Sequence, residues 1–231
     1  MEIDRTIVQS FPLFSRLCEK DLDSLLSCAV LRRVAQGDTV FKQGESAQSF
    51  FLLLNGRVKI MPVSMDGHQF IMRLVNPGEV FGFVKAILRS EYPATAQTAT
   101  EVLLLGWTID AWTNFVERHA HLNLNAMQIA GQRLGEAQLR IREMSTQFVK
   151  RRLANVVLRL AQQAGRNEGD GILIDFPISR KDIAEMTGTT LHNVSRILSS
   201  WEARGVVTNG REKLIVRDMI RLSALANGSL T

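Results

Sequence analysis

The spacing of apolar residues changes twice along the chain. Up to about Cys28 it is helical, with apolar positions at Phe11, Leu13, Phe14, Leu17, Leu22, Leu25 and Leu26. Between Leu31 and Asp110, short apolar runs alternate with turns that contain glycine, such as Asn55-Gly56. Many short strands joined by regularly spaced turns are typical of a small antiparallel barrel or jelly roll. Beyond Asp110, the spacing becomes helical again.

The barrel region contains six runs that are predicted to be strands. They are Thr39–Phe41, Phe50–Leu54, Val58–Ile60, Phe70–Leu74, Thr95–Thr100 and Val102–Leu105. Asp110 is then expected to cap a short helix that ends near Arg118.

A heptad repeat extends from about Leu122 to Phe148. Its a and d positions are Met127, Ala130, Leu134, Ala137, Ile141, Met144 and Phe148. A helix of this length spans about 35 to 40 Å at 1.5 Å per residue. The seam needs a partner, which we expect to be the same helix of a second copy; the alternative is that it packs on its own barrel. Gly131 and Gly135 are expected to allow close helix approach, the alternative being room for an effector.

The segment Ser179–Gly205 has the pattern of a helix-turn-helix. Ser179 with Asp182 three residues later predicts a capping box at the start of a first helix. Thr187-Gly188-Thr189 supplies a three-residue turn with a glycine, and a second helix is predicted from about Thr190 to Arg204.

The second helix is predicted to have two chemically different faces. Its buried stripe consists of Leu191, Val194, Ile197, Leu198 and Trp201. The opposite face carries side chains that bond to base edges and phosphates in a major groove, whereas a solvated helical hairpin, the alternative, would more often carry Glu and Lys. The residues predicted to contact DNA are Ser179, Arg180, Thr189, Thr190, His192, Asn193, Ser195, Arg196 and Ser200.

Two apolar runs follow the second helix. Val206–Thr208 and Leu214–Val216 flank Asn209-Gly210, which predicts two strands joined by a tight turn, the wing of a winged helix-turn-helix. The predicted α+β chain therefore has a β-barrel domain with N-terminal helices (1–112), a long dimerisation helix (113–148) and a winged helix-turn-helix domain (149–231).

The positive charge of the chain is concentrated in its C-terminal part. The formal net charge is +5, and from Thr146 onward 13 Lys and Arg stand against 8 Asp and Glu, so the N-terminal part is neutral. A basic segment beside a neutral body is typical of a DNA-binding module attached to another domain. This basic segment argues against another hypothesis, in which the protein is a dimer that binds only protein partners. A gel-shift assay with promoter DNA separates that hypothesis from DNA binding.

Composition and the N-terminal sequence indicate a cytoplasmic protein without membrane association. No apolar run approaches the roughly 20 residues that a bilayer requires, and the N-terminus lacks the basic start and apolar stretch of a signal peptide. Cys18 and Cys28 are expected to be reduced.

No catalytic motif is apparent. His119 and His121 are the one candidate metal dyad, but they fall in predicted helix and no strand supplies further ligands. Without a Gly-x-Ser-x-Gly sequence or a phosphate-binding glycine loop, neither an enzyme nor a metal site is expected.

The order of these elements resembles that of the CRP/FNR superfamily of bacterial transcription regulators. In Thr189–Arg196, Ser195 and Arg196 match the Glu-x-x-Ser-Arg of FNR-like regulators, while His192 replaces the Glu. The same segment looks like the NnrR group, and Ala94–Gln97 is similar to a strand of the DNR and NnrR regulators. The resemblance implies a homodimeric activator that binds near-palindromic promoter DNA, acts on RNA polymerase and controls denitrification genes in response to nitric oxide. The alternative is a regulator of the same family that responds to another signal, such as redox state or a small metabolite.

The resemblance also defines which cofactors to expect. Cyclic-nucleotide-binding relatives carry Gly-Glu and Arg-Ser/Thr-Ala, for which this chain has Gly82-Phe83 and Pro93-Ala94-Thr95, so cyclic nucleotide binding is not expected. An iron–sulfur cluster of the FNR type is not expected with two cysteines. Haem stays open as a cofactor, with His68, His119, His121 and Cys18 as its conceivable ligands. The alternatives are that His68 is a solvated turn residue and that His119 and His121 are surface or helix-capping residues.

Overall fold

The computed structural model describes residues 5–67, 69–83 and 90–229, and the chain forms two compact units. The first unit consists of the residues up to Pro62 together with Leu74–Gln138, and the second of Val63–Arg73 together with the chain from Leu139 onward. The predicted α+β architecture is confirmed: β-sheets, a long helix and a helix-turn-helix follow one another along the chain.

The N-terminal part contains four helices and eight strands within the described residues. These are α1 (Arg5–Ser10), α2 (Glu19–Ser27), β1 (Val30–Val34), β2 (Thr39–Phe41), β3 (Ser49–Asn55), β4 (Val58–Met61), β5 (Arg73–Val75), β6 (Val80–Phe81), β7 (Thr95–Thr98), β8 (Val102–Thr108), α3 (Ile109–Arg118) and α4 (Ala120–Thr146). The strands form two four-stranded sheets, β1-β8-β3-β6 and β2-β7-β4-β5.

Two apolar clusters hold this part together. One contains side chains from both sheets, and Phe41 stacks on Tyr92 in it with 3.8 Å between ring centroids. The other joins α1, α2, α3 and the start of α4 to β3 and β8, with Phe14 and Trp107 among its buried members. The turn at Asn55-Gly56 is confirmed, and Gly56 needs to be glycine because its φ is +89° and a Cβ would lie 2.4 Å from the Glu101 carbonyl oxygen.

Three predicted boundaries in this part are wrong. β5 begins at Arg73, so Phe70 and Met72 are not in a strand. The cap of α3 is Thr108, whose hydroxyl accepts the backbone N–H of Ala111 at 3.2 Å; Asp110 lies in the first turn instead, where a carboxylate suits the helix dipole.

The third error concerns the end of the predicted heptad helix. The predicted end of the short helix near Arg118 is confirmed, and His119 (φ −130°, ψ 83°) separates it from α4, so the segment 113–148 contains the last turns of α3 as well as α4. At the other end α4 stops at Thr146, and Phe148 has extended backbone (φ −65°, ψ 151°) as the N-cap of the next helix. Phe148 therefore lies beyond the heptad helix to which it was assigned.

The C-terminal part packs four helices around one sheet. Its elements are α5 (Val149–Ala164), β9 (Gly165–Glu168), β10 (Gly171–Ile174), α6 (Arg180–Thr187), α7 (Leu191–Ala203), β11 (Val207–Gly210), β12 (Lys213–Val216) and α8 (Met219–Asn227). The antiparallel sheet has the order β11-β12-β10-β9. Trp201 of α7 is fully buried.

The predicted wing exists, but its turn lies two residues later than expected. Asn209 and Gly210 belong to β11, where Asn209 pairs with Leu214. The chain reverses at Arg211-Glu212, and Glu212 has φ +54°.

Candidate nucleic-acid interface

A capping box begins α6, as predicted. The Ser179 hydroxyl accepts the backbone N–H of Asp182 at 3.1 Å, and a carboxylate oxygen of Asp182 accepts the backbone N–H of Ser179 at 2.9 Å. The helix ends at Gly188, which is left-handed with φ +65°. The turn therefore has the geometry that the Thr-Gly-Thr sequence predicted.

The start of α7 is fixed by two threonines and an asparagine. The Thr190 hydroxyl accepts the backbone N–H of Asn193 at 3.3 Å, and the Asn193 side-chain amide donates to the Thr189 hydroxyl oxygen at 3.2 Å. Three residues predicted to contact DNA thus also shape the N-terminus of this helix. The positive end of the helix dipole at that point favours a phosphate.

The two faces of α7 are largely as predicted. Its buried residues are Val194, Ile197, Leu198 and Trp201. His192, Arg196 and Ser200 are exposed, whereas Thr189, Asn193 and Ser195 are half-buried. Ser199 is also exposed, and the sequence pattern did not single it out.

Leu191 corrects the predicted buried stripe. Its side chain is 52% exposed, although it was expected to pack with Val194 and Leu198. Leu191 is the first residue of α7, and the buried residues of this helix begin one turn later, at Val194. The structure places it on the rim of a groove instead.

This groove lies between the start of α6, the start of α7 and the β11–β12 hairpin, and we call it the head groove. Its apolar lining comes from Ile178, Ile183, Leu191, Leu198 and Leu214, and its cationic lining from Arg180, Lys181, Arg211 and Lys213. Arg180 and Arg211 are exposed. Lys181 lies 3.8 Å from Glu185, and Lys213 lies 2.6 Å from Glu168.

Arg211 and Lys213 are functional candidates that the sequence interpretation missed. The signal was available, since both cations flank Glu212 directly after a predicted turn. Placing that turn at Asn209-Gly210 assigned them to a strand flank instead of the hairpin tip.

The hairpin is tied to α7 through Asn209. Its backbone N–H donates to a Glu202 carboxylate oxygen at 2.8 Å, and its side-chain amide donates to the Leu198 carbonyl at 3.3 Å. These hydrogen bonds to Asn209 hold the pKa of Glu202 below its ordinary value. The wing and the second helix of the motif are therefore one connected structure.

Arg152 connects the helix-turn-helix to the segment before α5. Its guanidinium donates to the carbonyl oxygens of Gln147 at 2.8 Å, Thr187 at 3.2 Å and Gly188 at 3.4 Å. Nearby, Arg159 forms an ion pair with the buried carboxylate of Glu143, with an N–O distance of 2.8 Å. The end of α4, the start of α5 and the turn between α6 and α7 are thus joined by side chains.

The predicted heptad seam is exposed. Met127, Ala130, Leu134, Ala137, Ile141, Met144 and Phe148 all have exposed side chains. Met127 and Leu134 share a unit with the barrel, which leaves them uncovered. For these two seam residues, the alternative in which the seam packs on the barrel of its own chain does not describe the structure.

Three of the four conceivable haem ligands lie in the described residues. His119 caps the end of α3 and faces Asp21, with 3.4 Å between Nδ1 and Oδ2, while His121 and Cys18 are exposed. His68 lies outside the described residues. Within 5–67, 69–83 and 90–229, no three His, Cys, Asp or Glu side chains come together as a metal site.

The positions that correspond to the nucleotide-binding residues carry apolar groups. Phe83 packs against Phe50 and Trp112, with 5.1 and 4.8 Å between ring centroids. Pro93 is exposed and Ala94 is buried. Neither side chain carries a charge, so neither can pair with a phosphate. Tyr92 donates its hydroxyl to the Ser49 carbonyl at 2.6 Å, and burial raises its pKa.

Comparisons with known proteins identify the family. Residues 31–119 match the model of the cyclic nucleotide-binding domain, and residues 151–225 match the Crp-like helix-turn-helix domain. The chain is a regulator of the CRP/FNR family. It is a CRP-type DNA-binding transcription regulator, in a family of regulators rather than enzymes. The two matches together cover more than two thirds of the chain.

Relatives of this CRP-type regulator align over nearly their whole length. The chain is 29% identical to the cyclic AMP receptor protein of Thermus thermophilus over 217 residues, which cover 94% of this chain and 97% of the relative. It is 27% identical to the global nitrogen regulator of Synechocystis over 223 residues, which cover 96% and 98%.

Solved structures agree with the fold. A CRP-family transcriptional regulator from Thermus thermophilus superposes with a TM-score of 0.73 at 25% identity, covering 85% of this chain and 96% of that one. FixK2 from Bradyrhizobium japonicum gives 0.75 at 19% identity, with coverage of 85% and 96%, and supports the fold alone. Among the helices of the described residues, none has the length and apolar character needed to span a membrane.

Proposed function

We propose that this regulator binds a near-palindromic promoter site as a homodimer, with α7 of each copy in successive major grooves. The observation that carries the proposal is the exposed polar face of α7, formed by His192, Arg196 and Ser200, beside the cations that line the head groove. Such side chains form hydrogen bonds with base edges, and the surrounding cations and helix N-termini bind phosphates.

The exposed residues have different roles in this proposal. Arg196 makes a bidentate contact to guanine, and His192 donates to a neighbouring base. Thr189, Thr190, Ser179 and Arg180 lie at the starts of α7 and α6 and hold phosphates. Asn193, Ser195 and Ser200 complete the surface that faces DNA. Arg211 and Lys213 of the wing add phosphate contacts on the far side of the head groove.

The dimer follows from the chemistry of α4. Four large apolar residues of this helix, Met127, Leu134, Ile141 and Met144, are exposed at heptad spacing. Burying such a seam against an identical helix removes apolar area from water on both copies. Apart from the nearby backbone of α4 itself, no atom of the described residues lies within 4 Å of a Cβ built on Gly131 or Gly135, so a second helix has room to approach there.

Binding-site selection from randomised duplex DNA tests the proposed function. We expect the wild-type chain to select a sequence with two inverted half-sites and its affinity to fall steeply as salt rises, because cations contact phosphates. Lys20→Ala, an exposed cation of α2, is the matched control and should bind as wild type does. Recovery of no sequence preference would contradict the proposal.

The proposed signal is nitric oxide, and the proposed targets are denitrification genes activated through RNA polymerase. Support comes from the resemblance of Thr189–Arg196 and Ala94–Gln97 to the NnrR and DNR regulators. A signal at the barrel would shift the pairing of the two α4 helices and hence the spacing of the DNA-binding heads. A promoter fusion with and without nitric oxide tests the response, and the absorption spectrum of anaerobically purified protein tests haem through its Soret band.

We further propose that the barrel does not take a cyclic nucleotide, although its family model is named for that ligand. Phe83 offers no acceptor for a ribose, and Pro93 no charge for a cyclic phosphate. Titration with cAMP or cGMP should therefore give no saturable heat and no change in operator affinity. A micromolar dissociation constant for either nucleotide would contradict this.

A further inference from the structure

Leu191 is an exposed apolar side chain in a groove that has both apolar and cationic lining. Among the residues of α6 and α7, it is the large apolar side chain that the structure leaves exposed. It precedes His192 directly, and it lines the head groove together with Arg180 and Arg211. A leucine that is half exposed at this place contributes little to the core.

The position of Leu191 points it to the same surface as the other DNA-facing residues. It is the first residue after the N-cap Thr190, at the end of the helix from which recognition helices contact bases. Ser195 follows four residues later on the same row of the helix, and His192 and Arg196 form the next row. Leu191 therefore lies between the apolar lining of the head groove and the residues proposed to contact bases.

The major groove offers a leucine one chemically matched partner. Base edges there present hydrogen-bond donors and acceptors, and the apolar exception in unmodified DNA is the C5-methyl group of thymine. We propose that Leu191 determines specificity by packing on the C5-methyl group of one thymine in each half-site. This inference rests on the proposed function and names one base that the site must contain.

Removal of a single methyl group tests the inference. Each thymine of the selected half-site is replaced in turn by deoxyuridine, and the dissociation constant is measured by fluorescence anisotropy for wild type and Leu191→Ala. At one symmetric position, deoxyuridine should weaken wild-type binding by roughly fourfold per half-site, as expected for loss of one buried methyl group. Leu191→Ala should bind both duplexes alike.

Two further measurements exclude indirect effects. His192→Ala should keep the sensitivity to deoxyuridine, and so should Leu191→Met, which retains an apolar side chain of similar volume. At the sensitive position, 5-methylcytosine should bind wild type more tightly than cytosine does. The salt dependence of Leu191→Ala should equal that of wild type, since no phosphate contact is lost.

Equal deoxyuridine profiles for wild type and Leu191→Ala would overturn the inference and leave the proposed function intact. So would a selected half-site in which no thymine responds to loss of its methyl group. If wild type selects no sequence, the proposed function itself fails and the inference with it. The three results are distinguishable because selection precedes the scan.

Discussion

Helices α4 and α7 both have an apolar and a polar side, but α4 exposes apolar residues and α7 exposes polar ones. In α4 the large apolar residues of the heptad seam are exposed, among them Leu134 at 61% and Ile141 at 67%. In α7 the apolar stripe is buried except at Leu191, and the exposed face is polar. A helix that exposes its apolar side lacks a protein partner, whereas one that exposes hydroxyl, imidazole and guanidinium groups suits a nucleic acid.

The buried sides of the two helices reinforce this difference. Three of the described side chains of α4 are buried: the apolar Leu122 and the polar Asn125 and Glu143. Asn125 donates to the carbonyl oxygens of Leu13 and Ser15, both at 3.0 Å, and Glu143 pairs with Arg159. Specific polar contacts, together with the apolar cluster at its start, thus anchor α4 to its own chain and leave the heptad seam available, whereas α7 is anchored by its apolar side.

The largest expected effect comes from charging the exposed side of α4. Leu134→Asp together with Ile141→Asp should give monomers in sedimentation and weaken operator binding by at least about a hundredfold, since two linked heads bind far more tightly than one. Leu139→Asp is the matched control, because Leu139 is an exposed apolar residue of the same helix outside the heptad seam. A double variant that remains dimeric would show that the seam is assigned wrongly.

On α7 the largest single effect is expected at Arg196. Arg196→Ala should cost roughly 1 to 3 kcal/mol of binding free energy and relax the preference at one symmetric base pair. Arg204→Ala removes the same charge just after the helix ends and should change affinity without changing the preferred sequence. Equal sequence preferences for wild type and Arg196→Ala would refute the base contact.

His192 should change which base is preferred more than how tightly DNA is bound. His192→Glu replaces a group that can donate by one that only accepts, and it restores the residue of FNR-like regulators at that place. The selected half-site should shift toward the FNR type. Identical sequence logos for wild type and variant would mean that His192 packs on the backbone and contacts no base.

The smallest effect concerns the attachment of the wing to α7. Because the folded pKa of Glu202 lies below its ordinary value of 4.5, its ionised form stabilises the fold above that pH, and this stabilisation is lost as the pH falls through the lowered pKa. Glu202→Gln should therefore lower the thermal unfolding midpoint slightly at pH 6, and the difference from wild type should shrink as the pH falls below 4.5. A difference that stays constant as the pH falls would assign the effect to something other than this carboxylate.

Local patterns made the helix-turn-helix and its capping box predictable from the sequence. Ser179 and Asp182 are three residues apart, and Gly188 follows the helix directly, so each signal acts within one turn. The errors arose where distant contacts decide the structure. Asn209-Gly210 is a strong turn sequence, but hydrogen bonds from Asn209 to Glu202 and Leu198 hold it in a strand.

Three other misses also arose where local spacing does not decide the structure. β9 is polar, and its pairing with β10 is what makes it a strand. The periodicity of α7 placed Leu191 on the buried face, yet periodicity does not show where the core that covers a helix ends. The heptad spacing likewise continued to Phe148, although the backbone changes direction before it.

The guanidinium of Arg152 has a consequence for how such a regulator changes its target in evolution or by engineering. Three main-chain carbonyl oxygens hold it in place, so the turn between α6 and α7 is supported by a side chain outside the proposed DNA-binding surface. The residues proposed to face DNA, Leu191, His192 and Arg196, are exposed. Exchanging those three side chains one at a time is therefore expected to change the preferred operator while the turn that positions them keeps its main-chain hydrogen bonds.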